Sequence, residues 1–139
     1  MAITIPFSNL NLKALRMANI MRLPELKSAT GAPAHSQADG SDWTLGEWCN
    51  AVCGELGELA NLVKKVKRGD ISMDDARPFI AKEMADVLTY LDIMAFRADV
   101  DLSKATIDKF NEVSIRVKSS VRLGSDAAFR EPDHFSPCA

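Results

Sequence analysis

The chain has 139 residues, 47% of them hydrophobic and 26% charged, with a net charge of −2. That length suits one domain with one core, and the near-neutral balance disfavours nucleic acid as a main partner. No apolar run approaches the roughly 18 residues that a membrane helix needs. The first residues, MAITIPFSNLNLK, lack the basic start and long apolar stretch of a secretion signal. We therefore expect a cytoplasmic protein with no membrane contact. The three cysteines show no CxxC spacing, and we expect buried free thiols rather than a metal site or a disulfide.

Almost every periodic segment repeats with the helical period, and no strand-like alternation stands out. A first helix is expected from about Asn9 to Leu23, with Leu12, Leu15, Ile20 and Leu23 as its apolar stripe and Pro24 ending it. Residues 28–42, rich in Gly, Ala, Ser and Pro, read as a loop and a candidate lid. Thr44 and Glu47 then form a T-x-x-E capping box. The second helix follows with stripe Trp48, Val52, Leu56, Leu59, Val63 and Val66. Its basic last turn and Gly69 suit a helix end. Ser72 reads as the cap of a short helical piece, and Pro78 as lying near the start of a third long helix running to about Ala98. The stripe of that helix is Ile80, Met84, Val87, Leu91 and Met94. Ser103 reads as the cap of a fourth helix to about Lys118. Residues 119–139 have little periodicity and read as an irregular tail. The expected architecture is one all-α domain over residues 1–118, a bundle of four to five helices.

Two acidic pairs dominate the candidate chemistry. Glu55 and Glu58 lie three apart on the second helix, and Glu83 and Asp86 on the third. Positions three apart on a helix point the same way. If the two apolar stripes pack together, the pairs face each other across the seam. Carboxylates at the border of a core are costly unless something compensates them, and oxygen-only ligands favour hard ions such as Mg²⁺ or Mn²⁺. Gly54 and Gly57 each cost a helix about 1 kcal/mol relative to alanine, which suggests a close approach to the backbone there. The bland alternative is a solvated acidic face. Against it, Leu59, Leu62, Val87 and Tyr90 occupy the following positions, where a solvated face would carry lysine or arginine.

The spacing E-x2-E, 24 residues, E-x2-D, together with GELGELAN, KEMADVLTYLDIMA and DLSKATIDKFNEVSIRV, resembles the all-α nucleoside triphosphate pyrophosphohydrolases. This is the MazG-like superfamily, which also holds the dimeric dUTPases and dCTP pyrophosphatases. The resemblance covers roughly residues 9–118. It implies Mg²⁺-dependent cleavage (Mn²⁺ also serving) of a deoxyribonucleoside triphosphate to the monophosphate and pyrophosphate, by a homodimer or homotetramer. Glu55, Glu58, Glu83 and Asp86 match the metal ligands. Lys109 and Arg116 match basic positions that meet phosphates, with Lys65 and Arg97 as further candidates. Tyr90 matches an aromatic that packs on the sugar, Asn19 a residue that reads the base, and Trp43 a wall of the base pocket. The chain departs from relatives at Gly54, where some carry a further acid, and at Val113, where many carry asparagine. Two rival readings are a non-catalytic nucleotide- or metal-binding regulator and a purely structural bundle.

Overall fold

A computed structural model of the chain describes residues 11–32 and 43–124. Most of these residues are helical, and there is no β-strand among them. They fall into two compact units, one ending at Ser103 and the other beginning at Lys104. His35, His134 and Cys138 lie outside the described residues, as do residues 33–42 of the candidate lid and residues 125–139.

In the first unit, α1 spans Leu12–Arg22 and is capped by Asn11, whose side chain accepts from the Ala14 N–H at 2.9 Å. Pro24 does end the α-helix, but the chain tightens into a 3₁₀ turn, Leu23–Glu25, with the proline in its first positions, where a missing N–H costs nothing. The helix α2, Leu45–Arg68, opens on the expected capping box: the Thr44 hydroxyl accepts from the Glu47 N–H, and the Glu47 carboxylate accepts from the Thr44 N–H. It closes on Gly69 at φ 79°, a left-handed turn that glycine adopts without a Cβ clash.

The short piece and the third helix are one continuous α3, Met73–Arg97, with Pro78 inside it. Ser72 caps the start by accepting from the Asp75 N–H at 3.1 Å. A proline this near the N-terminus forfeits a single bond, the one its absent N–H would make to the Asp74 carbonyl, and 25 residues of helix outlast that loss. Cys49 and Cys53, expected to be buried, are free but exposed. They sit one residue past the buried Trp48 and Val52, about 100° around the helix from the packed face.

The helices α1 and α2 both pack on α3. The core of this unit is a small cluster of Leu23, Trp48 and Ile93, against which Leu26, Trp43, Tyr90 and Met94 pack. Aromatic contacts knit it: Trp43 and Trp48 lie 4.9 Å apart between ring centroids, Trp48 and Tyr90 6.2 Å, spacings at which tilted rings attract.

The second unit contains nearly all of α4, which spans Leu102–Arg116. The helix starts one residue ahead of the expected cap, so Ser103 stands in its first turn. The Asn111 amide fixes the segment that follows, donating to the Leu123 carbonyl and accepting from the Leu123 N–H, each at 2.8 Å.

Candidate metal centre

The less exposed residues of α2 recur at Trp48, Val52, Glu55, Leu59, Leu62 and Val66, and those of α3 at Ala76, Ile80, Glu83, Val87, Tyr90 and Met94. Both series step by four and three, the spacing of a packed helix seam. The seam keeps Trp48, Val52, Leu59, Val66, Ile80, Val87 and Met94 of the stripes expected from sequence but leaves out Leu56, Val63, Met84 and Leu91. Leu56, Val63 and Met84 are exposed, at 47%, 48% and 56%, while Glu55 and Glu83 hold the seam positions beside them. Two carboxylates stand where a helix pair ordinarily places aliphatic side chains.

Glu58 follows Glu55 by three residues and joins them from the flank of α2. Carboxylate oxygens of Glu55, Glu58 and Glu83 lie within 4.8 Å of one another. Asp86 is not one of this trio, but its charge reaches it. The Glu55 carboxyl is pushed above its ordinary range, chiefly by partial burial and then by the negative charges of Asp86, Glu58 and Glu83. All four acids expected from the sequence are thus electrostatically joined at Glu55, three of them in direct proximity. The donor set is oxygen only, three to four carboxylates with little burial, and that composition fits a hard divalent cation. Like charges at this separation repel unless a cation or protons neutralise them.

The expected close approach at Gly54 and Gly57 is not made by the described chain. A Cβ at either position would meet nothing within 4 Å, so that face of α2 is open.

Tyr90 stands on the α3 seam one turn beyond Asp86. Its hydroxyl is pushed above its ordinary pKa, first by burial and then by the charges of Glu55 and Asp86, with Arg22 acting in the opposite direction. Trp43 is half-buried against Trp48, at the other end of the same aromatic cluster. Asn19 is buried, at 2% exposure. Its amide donates to Asp92 Oδ2 at 3.0 Å and to the Thr89 carbonyl at 3.5 Å, so its donors are turned into the protein. Lys65 is exposed in the last turn of α2. Arg97 is half-buried, with its guanidinium 5.6 Å from the centre of the Phe96 ring. In the second unit, Lys109 is exposed and paired with Glu112 at 2.6 Å, and Arg116 ends α4 on the surface.

Sequence reasoning passed over Asp92, the most deeply buried charged residue described, at 1% exposure. It accepts from Arg16 Nε at 3.0 Å as well as from Asn19. The Arg16 guanidinium also lies 5.6 Å from the Phe96 ring, a cation–π distance. One signal was available: Asp92 is the lone charge in TYLDIMAF, where a solvated residue would not be expected. A cavity of about 440 Å³ opens beside this pair, lined by Lys13, Arg16, Asp92 and Phe96 among others, and none of the acidic trio lines it.

Fold and site together define an all-helical protein with a carboxylate cluster built into a helix seam. No protein-family model matches the chain, and no solved structure matches it. It is 36% identical over 77 residues to the Gene 37 protein of Mycobacterium phage L5, an alignment spanning 53% of this chain and 67% of that protein. The chain belongs to the family of that Gene 37 protein.

Proposed function

We propose that this protein is a metal-dependent nucleoside triphosphate pyrophosphohydrolase that splits a deoxyribonucleoside triphosphate into the monophosphate and pyrophosphate. One observation carries the reading: Glu55, Glu58 and Glu83, from two different helices, bring carboxylate oxygens within 4.8 Å of one another. They are three of the four acids through which the sequence resembles the MazG-like enzymes. Two of them occupy seam positions, where apolar side chains would stabilise the helix pair more. A seam that forgoes that stability for mutually repelling charge is accounted for by a bound cation.

Glu55, Glu58, Glu83 and Asp86 would hold Mg²⁺, or Mn²⁺ in its place. Divalent ions bound there supply charge neutralisation of the triphosphate and an activated water for in-line attack on phosphorus. One of the four carboxylates would serve as the base that takes the proton from that water. Tyr90 supplies a ring beside the acids against which a sugar can pack, and Trp43 widens that apolar wall toward the base. The exposed Leu56, Val63, Met84 and Leu91 on the α2–α3 hairpin suit burial against a second copy, as expected of a homodimer or homotetramer.

The test is pyrophosphate release from the four common deoxyribonucleoside triphosphates and dUTP with Mg²⁺ or Mn²⁺. Turnover by the native chain and its loss in Glu58→Gln support the proposal. No release from any of the five under either ion refutes it.

A further inference from the structure

The cavity beside the Asp92–Arg16 pair is built entirely by residues of the first unit, and the carboxylate centre has no part in it. Its volume, about 440 Å³, falls in the range of pockets that bury a small organic molecule. Leu12, Phe96 and Val100 contribute apolar lining, and the charges are divided by element. Lys13 and Arg16, three apart and so on one side of α1, bring the cations. Asp99 and Asp101, in the turn that leaves α3, bring exposed acids. Arg16 is committed only in part: Nε is held by Asp92 at 3.0 Å and Nη2 reaches the Val100 carbonyl at 3.4 Å, while Nη1 meets no acceptor among the described residues. Lys13 forms no ion pair among them.

Asp99 is the residue that the fold does not explain. Beyond α3 the Asp99 N–H donates to the Phe96 carbonyl at 3.1 Å and the Val100 N–H to the Ala95 carbonyl at 2.8 Å, the two bonds of a Schellman turn. Asp99 holds the left-handed position of that turn, at φ 53°, which glycine ordinarily fills because a Cβ is strained there. Its carboxylate also stands at the negative end of the α3 dipole, where a cation is favoured. Asp101 has a local task, because it precedes Leu102, the first residue of α4, and aspartate suits that capping position. Asp99 pairs with no cation among the described residues. A carboxylate thus stands where the backbone and the helix dipole both disfavour it, on the rim of a cavity whose α1 side is cationic.

We propose that this cavity binds a small zwitterion, an α-amino acid with an apolar side chain. Asp99 takes the ammonium group, Arg16 and Lys13 the carboxylate, and Leu12, Phe96 and Val100 the side chain. A ligand of single charge suits the lining less. An amine leaves the cations of α1 unanswered, and a carboxylate without an ammonium group faces Asp99 and Asp101. The charges at the mouth stand in water, so each contact contributes modestly, and the expected dissociation constant is roughly 0.1–1 mM. The inference is independent of the reaction proposed for the carboxylate centre.

The experiment is calorimetric titration of the full chain with L-leucine and L-phenylalanine. N-acetyl-L-phenylalanine lacks the cationic end and L-phenylalaninamide the anionic end, and each should bind about tenfold more weakly than the parent, the lower range for a hydrogen bond to a charged group. Asp99→Gly separates binding from folding. Its ligand-free thermal midpoint should rise by roughly a few degrees, because glycine removes both the strain and the unfavourable charge, while affinity for L-phenylalanine falls about tenfold. Lys13→Gln should weaken binding several-fold and leave the ligand-free midpoint where it is. A native chain that binds neither amino acid at about 10 mM overturns the proposal. Derivatives that bind as tightly as L-phenylalanine overturn the assignment to a zwitterion, and unchanged affinity in Asp99→Gly overturns the role of Asp99. A lower ligand-free midpoint in that variant would give the carboxylate a structural task and remove the reason for assigning it to a ligand.

Discussion

Replacing Asp92 by asparagine tests the buried network with almost no change of shape. In the native chain one carboxylate oxygen accepts from Arg16 Nε and the other from Asn19 Nδ2, each at 3.0 Å. Asparagine keeps one acceptor and turns an NH₂ toward a donor, so one buried N–H loses its partner whichever way the amide flips. A lost hydrogen bond to a charged group costs about 1.5–3 kcal/mol, and an unsatisfied buried donor about 1–3 kcal/mol. Arg16 is 23% exposed and keeps its contact with Phe96, so water relieves part of its lost neutralisation. The sum falls near 3 kcal/mol, below the upper figure for breaking a fully buried pair. Against a total stability of about 5–15 kcal/mol this is a large fraction, equivalent to a fall in midpoint of roughly 10 °C. Circular dichroism at 222 nm would follow thermal unfolding at fixed protein concentration, since association alters apparent stability. A change of under 0.5 kcal/mol, on the order of a neutral surface substitution, would refute the claim that Asp92 anchors α1 to α3.

Two further outcomes follow from the site. Folding raises the pKa of Glu55 above its unfolded value, so the native state favours the proton. The associated stability is complete below the ordinary carboxylate pKa and disappears as pH climbs through the raised native value. Glu58→Gln, by removing one repelling charge, should make the metal-free protein more stable at pH 7 and flatten its stability between pH 4 and 7. Mg²⁺ should stabilise the native chain more than this variant, and thermal melts across pH with and without the ion read both effects; identical melts for the two chains under all conditions would discredit the electrostatic account. The exposed hairpin flank is tested by Met84→Glu, which should shift the chain toward monomer in sedimentation velocity while leaving its helicity intact, whereas an unchanged sedimentation coefficient would mean that the flank is not a subunit contact.

Much was legible from the sequence because it is local. The capping box at Thr44 and Glu47, the Ser72 cap and the Gly69 stop each depend on side-chain chemistry within a few residues of the backbone they satisfy, and the structure bears them out. The spacing of Glu55, Glu58, Glu83 and Asp86 was equally visible, since helical geometry alone puts each pair on one edge. Two errors were also local in kind. Pro78 suggested a break between a short piece and the third helix because proline favours the first turn, but α3 runs continuously through it from Met73. Cys49 and Cys53 looked buried because thiols usually are, but they lie off the packed face.

What the sequence could not decide was the rotation of each helix about its axis. Apolar periodicity selects Leu56, Val63 and Met84 because a stripe is scored by hydrophobicity, and a glutamate at a packed position scores as a defect. Only the packing of α2 on α3 identifies Glu55 and Glu83 as seam residues and brings Glu58 to them. The same holds for Asp92: its partners Arg16 and Asn19 come from 76 and 73 residues away. Nothing local reports a pairing whose energy exists only once three side chains have left water together.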